Sequence, residues 1–351
     1  MISRLNDLLA EFDGVLLTSP HNMRYFSGFS GGEGAALITS NERFLFTDSR
    51  YTEQAQNESA EQGFVVVETN TPLSVAGDKI SDIGMKNVLF EDEVMSVSIH
   101  TALCKKLGKG ELVPASRKIN ELRMIKTDDE LRKMAKAEQI ACDAFERILG
   151  FIKPGITERE IALELEYFMR KNGAGGIAFQ TIAISGKKTS LPHGVPSDKK
   201  IENGDFVTMD FGALYDGYCS DMTRTIVVGR ASEEQRKVYE VVKDAQARGL
   251  EAIFEGAESS KADFAARYII DNAGYGKYFG HSLGHGVGLL IHELPNLSPR
   301  SSFVLKENMI VTCEPGIYIP DFGGVRIEDM VCVKKGGIIN LTHASKDLIE
   351  L

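Results

Sequence analysis

His281-Ser-Leu-Gly-His285-Gly-Val-Gly288 places two histidines four residues apart among glycines, with Asp210 and Asp221 upstream and Glu314 and Glu328 downstream. Four carboxylates and one imidazole make a mostly hard donor set. It suits divalent manganese, cobalt, zinc or iron, and a pair of such ions needs carboxylates to bridge them. Any one of these acids read alone is an ordinary solvated or salt-bridged residue, because surface carboxylates are the norm. Together they call for a cation, since clustered and unpaired carboxylates are expensive to bury.

The chain around the acids accounts for their intervals. Asp216-Gly217 is a two-residue hairpin signal. With that loop, Tyr215 pairs with Tyr218, Gly212 falls opposite Asp221, and Asp210 and Asp221 become diagonal neighbours on one face. Two strand pairs are expected, 205–211 with 217–228 and 309–314 with 325–333. In Gly323-Gly-Val-Arg326-Ile-Glu328, period-two alternation puts Arg326 and Glu328 on one face with Ile327 packed behind. Glu314 ends an apolar strand just before Pro315-Gly316, where a ladder cannot continue. Cys219 and Cys313 alternate to the opposite face and read as core.

A length of 351 residues is enough for two domains with sizeable cores. An apolar fraction of 43% and a charged fraction of 26% match globular usage, and no segment approaches the roughly 20 apolar residues of a membrane span. Asp7, Glu11 and Asp13 interrupt the apolar pattern of residues 1–19, so this segment reads as a helix of a cytoplasmic protein and not as a secretory signal. Cys104, Cys142, Cys219, Cys313 and Cys332 are scattered, with no CxxC pair, which argues against a disulfide framework or a thiolate zinc site and fits a reducing compartment. A net charge of −10 without a strong basic cluster argues against nucleic acid and membrane surfaces as partners.

Five short apolar runs, at 14–18, 34–38, 43–47, 64–68 and 87–91, alternate with polar or amphipathic segments and predict an α/β domain over residues 1–120. Beyond the charged passage 119–126, reciprocal caps are expected at Thr127 with Glu130, Thr157 with Glu160, and Ser232 with Gln235, each opening a helix. With the two strand pairs, residues 121–351 read as an α+β domain. Its two helix-plus-hairpin units, each contributing two acids, hint at an internal duplication.

Asp210-Phe-Gly, Ser220-Asp221-Met-Thr-Arg-Thr, the His281–Gly288 stretch, Glu314-Pro-Gly-Ile-Tyr and Gly324-Val-Arg326-Ile-Glu328-Asp resemble the proline-specific metallopeptidases of the pita-bread fold, the prolidases and aminopeptidases P. The resemblance covers about residues 120–351 by motif, and the first third resembles the creatinase/prolidase-type N-terminal domain. It implies two divalent ions per chain, manganese first and cobalt, zinc or iron as alternatives. Asp210 would chelate one ion and His285 and Glu314 the other, with Asp221 and Glu328 bridging. A hydroxide held between the ions would attack the scissile carbonyl of an Xaa-Pro bond. Glu314 would carry the proton to the leaving group, His193, His281 and His292 would bind and polarise the substrate, and Arg326 would orient a substrate carboxylate or carbonyl or hold a ligand carboxylate.

The same resemblance implies a peptide substrate with proline at its second position and a homodimer. The compact chain is similar to short bacterial and archaeal Xaa-Pro dipeptidases, with aminopeptidase P activity on longer peptides as the alternative. A second cationic clamp for a dipeptide's carboxylate is not evident near His292, the nearest arginine downstream being Arg300. Methionine aminopeptidases share the ligand set but not the counterparts of His281, Arg326 and the N-terminal domain. A non-catalytic binding module would lack the acids.

Overall fold

All five apolar runs of the first third form strands: β1 (Gly14–Leu17), β2 (Ala35–Ile38), β3 (Arg43–Thr47), β4 (Val65–Glu68) and β5 (Asn87–Phe90). The computed structural model describes residues 1–351, and it adds β6 (Glu111–Pro114), whose two apolar residues are too few to show a period. The mixed sheet runs β4-β3-β2-β1-β5-β6, with β1 antiparallel to β2 and parallel to β5. Every residue of β1 and β2 is buried, so these strands read as unbroken apolar runs and not as alternation. β6 lies at an edge and ends in Pro114, where a missing N–H costs no ladder bond. Helices Pro72–Ile83 and Val97–Leu107 add Ala76, Ile80, Leu103 and Leu107 to the cluster formed by Leu16, Leu37, Phe46 and Val88. This α/β unit spans Met1–Arg123, and an α+β unit spans Met124–Leu351.

In the second unit, helices Asp128–Leu149, Glu158–Lys171 and Glu233–Glu251 start at Thr127, Thr157 and Ser232, each with both bonds of the reciprocal cap made. Helix Ser259–Asn272 packs on Glu233–Glu251. The strands of the first half are β7 (Gly176–Ile177), β8 (Ile182–Ser185), β9 (Phe206–Phe211), β10 (Ala213–Tyr215), β11 (Tyr218–Cys219) and β12 (Met222–Val227). Those of the second half are β13 (Gly284–Gly286), β14 (Glu293–Leu297), β15 (Ile310–Cys313), β16 (Gly316–Ile319), β17 (Gly323–Arg326), β18 (Asp329–Lys334) and β19 (Gly337–Asn340). Phe145, Ile161 and Leu165 from the first two helices pack on Val207, Met209 and Ile226. Val238, Val242 and Ala266 from the last two pack on Val311, Val325, Ile327 and Val331. Each half is thus a helix pair laid on a hairpin.

The hairpins carry Asp221, Glu314 and Glu328 where their ladders break, whereas Asp210 sits inside β9, paired with Thr223. In the first, Leu214 pairs with Cys219, Tyr215 with Tyr218 and Phe211 with Met222. The turn residues Asp216 and Gly217 have φ of 47° and 80°, as a two-residue turn matched to strand twist requires. The pairing lapses at Gly212 opposite Asp221, and a Cβ on Gly212 would sit 1.9 Å from the Ser220 carbonyl oxygen. In the second, Cys313 pairs with Asp329 and Gly316 with Arg326, which leaves Glu314 facing Glu328 in the gap. The stretch 325–333, expected as one strand, is therefore two, because Ile327 and Glu328 leave the ladder. The hairpins meet at a single bridge between Thr223 and Glu328, whose N–H donates to the Thr223 carbonyl at 3.1 Å.

Candidate metal centre

The two ladder gaps and β13 converge on one cleft of about 610 Å³. Asp210, Asp221, His285, Glu314 and Glu328 all line it, together with His193, His281, His292 and Arg326, so every candidate site residue is brought to one place. His285 Nε2 lies 3.5 Å from Asp221 Oδ2 and 3.3 Å from Glu314 Oε1. Donor atoms of Asp221, His285 and Glu328 fall within 4.8 Å of one another, a spacing fit for a shared cation.

Four of the five donors, Asp221 apart, are held from behind. His285 Nδ1 is 3.1 Å from the Gly286 carbonyl; with the proton there, Nε2 keeps its lone pair for the cleft. Burial, reinforced by His292, pushes this imidazole down to about 4, so it is neutral at pH 7. The Thr223 hydroxyl donates to Glu328 Oε2 at 2.7 Å, and the Thr312 hydroxyl to Glu314 Oε1 at 3.2 Å. Arg326 donates to Asp210 Oδ2 at 2.6 Å, to the Tyr318 hydroxyl at 2.9 Å and to Thr223 Oγ1 at 3.0 Å. His281 Nε2 faces the same Tyr318 hydroxyl at 2.9 Å, and burial pushes His281 down to about 4. His193 and His292 sit at the more exposed rim, with Leu191 and Val195 exposed on either side of His193.

The donor set fits divalent cations. Burial, then the negative charge of the neighbouring acids, raises the Asp221 and Glu328 carboxyls well above their ordinary range, and burial pushes Glu314 up to about 8 against the pull of Arg326. Asp210 Oδ1 is buried and has no hydrogen-bond partner. A group of acids that resists ionisation and leaves an oxygen orphaned lacks positive charge, which hard cations supply.

The sequence pattern of Metallopeptidase family M24 matches residues 132–335, and that of the Creatinase/Prolidase N-terminal domain matches residues 2–125. This chain belongs to metallopeptidase family M24. It is 44% identical to the Xaa-Pro dipeptidase of Pyrococcus furiosus, over 96% of this chain and 95% of that protein. The structure of an Xaa-Pro dipeptidase from Bacillus anthracis matches with a TM-score of 0.95 at 45% identity, covering 100% and 99% of the two chains. The X-Pro aminopeptidase of Thermotoga maritima matches with a TM-score of 0.91 at 38% identity, covering 99% and 100%. As an M24 metallopeptidase the chain is a metal-dependent hydrolase of the pita-bread fold.

Sequence reasoning missed several residues of this M24 site. Thr223, Thr312 and Tyr318 lie two or four residues from a ligand candidate, so strand alternation alone could have put them on its face. Arg300, eight residues beyond His292, lines a depression beside His281 and Ser282 and forms no ion pair. Glu138, far off in sequence on a helix, accepts the Asp221 N–H at 3.2 Å and had no signal.

Proposed function

We propose that this chain is an Xaa-Pro dipeptidase working with two divalent cations, manganese first and cobalt, zinc or iron as alternatives. Asp210 would hold one ion and His285 with Glu314 the other, with Asp221 and Glu328 shared. Bound there, the ions would supply Lewis acidity and water activation at neutral pH. The reading is carried by the meeting of five donor side chains in one cleft beside the unpaired Asp210 Oδ1.

The protein's own groups do the rest. Glu314, steadied by the Thr312 hydroxyl, takes the proton of the attacking water and passes it to the proline nitrogen as the bond breaks. His193 and His292 offer ring N–H groups to the peptide at the rim, and His281 acts in line with Tyr318, so that charge growing on the carbonyl oxygen meets fixed donors. Arg326 holds Asp210 in place. Arg300, unpaired beside His281, supports dipeptides as substrates because it can take the carboxylate that follows proline. The end-to-end match to two named Xaa-Pro dipeptidases points the same way. The Thermotoga maritima likeness keeps aminopeptidase P activity as the second reading. We further propose a homodimer in the cytoplasm; no helix of the chain is long and apolar enough to cross a membrane.

Metal-stripped protein assayed with and without manganese on Ala-Pro, an Xaa-Pro-Xaa tripeptide and Met-Ala-Ser tests the reading. Manganese-dependent cleavage of the dipeptide alone is expected. Release of the first residue from the tripeptide would move the chain to aminopeptidase P, methionine from Met-Ala-Ser would overturn proline specificity, and silence on all three would leave a binding module. Light scattering at micromolar concentration tests the dimer, and a monomer would refute it.

A further inference from the structure

Glu138 presents a problem that stability does not solve. It is fully buried on helix Asp128–Leu149, whose other buried residues, Glu130 apart, include Met134, Ala137, Ile140, Ala141 and Phe145. A carboxyl in such a place is costly, and an apolar side chain of similar volume would serve the core as well or better. Its two oxygens are nevertheless both engaged, and both partners lead to the site. Oε2 accepts the Asp221 N–H at 3.2 Å, at the position where the first hairpin's ladder lapses. Oε1 accepts the Thr342 hydroxyl at 2.5 Å, and Thr342 Oγ1 in turn accepts the Met330 N–H at 2.9 Å. Met330 lies two residues beyond Glu328, in the strand that leaves the second gap. A single chain of hydrogen bonds thus runs from the backbone of one bridging candidate to the strand of the other.

We propose that Glu138 is a positioning residue for the cation site: through Asp221 N–H and Thr342 it fixes the separation of the Asp221 and Glu328 carboxylates. The inference rests on the two-cation reading above. Two acids that share ions must hold their spacing before the ions arrive, or part of the binding free energy goes into closing the gap. The helix supplies that rigidity from outside both hairpins, at Asp221 where the first ladder lapses and beside Met330, where the second ladder resumes after its gap. The nearby Arg224 donates to the Glu328 carbonyl at 2.6 Å and to Asp329 at 2.8 Å, a second hold on the same stretch.

The test is manganese titration calorimetry on the metal-stripped full chain and its variants, with melting curves and steady-state kinetics on Ala-Pro. The parent must bind manganese; if it does not, the cation reading itself fails. E138L is expected to bind manganese about 10- to 100-fold more weakly and to lose kcat while KM moves about 2-fold or less. E138Q should restore most of the affinity, because an amide oxygen can accept the Asp221 N–H while its NH2 donates to Thr342 Oγ1. A merely structural role would lower the melting temperature of E138L and leave the affinity of the folded protein unchanged, and that result overturns the proposal. So does an E138Q variant as impaired as E138L. If E138L does not fold, T342V decides: weaker manganese binding by about 3- to 10-fold, the scale of one hydrogen bond, is expected, and parental affinity refutes the role.

Discussion

Arg326 has three of its nitrogens committed to Asp210, Tyr318 and Thr223, which leaves the guanidinium little freedom to greet a substrate. Its geometry supports holding the Asp210 carboxylate, and the proposed partner for a dipeptide's carboxylate is Arg300. R300A is expected to raise KM for Ala-Pro about tenfold, roughly 1.4 kcal/mol of ground-state binding, with kcat within about twofold and an Xaa-Pro-Xaa tripeptide unaffected; equal losses on both substrates would remove Arg300 from carboxylate recognition. At the ligands, D221N should cut metal content and turnover together, since a bridging carboxylate loses an anionic oxygen, and normal values of both would refute that assignment. H281A should keep its metal and lose roughly 100-fold or more in rate, the scale of one transition-state donor. Y318F should share part of that loss if the Tyr318 hydroxyl orients His281, and unchanged kinetics in both variants would return the pair to packing.

At the scale of the elements, the hairpins carry the lesson about what a sequence discloses. Asp216-Gly217 announced its turn because both positions need positive φ, and the register that followed from it placed Gly212 opposite Asp221. The three capped helices were equally legible, since a Thr or Ser with Glu or Gln three residues on is a local chemical signature. The split between β17 and β18 was not, because alternation continues through Ile327 and Glu328 although the regular ladders end on either side of them. Nor were β6, whose Leu112-Val113 pair is too short to show a period, and Glu138, whose partners lie 83 and 204 residues away. The gap in the first hairpin depends on glycine. G212A forces a Cβ to 1.9 Å from the Ser220 carbonyl, so the strands must part at Asp221. A loss of about 1–3 kcal/mol and reduced manganese content are expected. T157A, which removes a cap far from the ligands, should cost about 1 kcal/mol and leave the metal content unchanged. A G212A chain with parental melting temperature and metal content would show that the gap does not need glycine.

For the whole molecule, the acids and imidazoles of the site link stability to pH in opposite directions. Glu314 rises from an ordinary 4.5 to about 8, so in the cation-free protein its contribution is fully present below about 4.5 and is lost as pH rises through about 8. His281 and His285 fall from 6.5 to about 4, so theirs is present above 6.5 and is lost as pH falls through about 4. Between pH 6.5 and 8 the folded histidines are neutral and the unfolded ones shed their remaining protons, while the raised carboxyls of the folded state still hold theirs. There the folded state holds more protons than the unfolded chain, and stability must decline with rising pH. Cations compete with those same protons, so their affinity grows across this window, and at 100 times Kd they add about 2.7 kcal/mol. Melting curves of stripped protein should therefore fall from pH 6.5 to 8, while curves in manganese hold level or rise, the difference widening with pH. Parallel curves with and without manganese would mean that the ion does not bind at these acids, because a cation that binds these carboxylates must displace their protons.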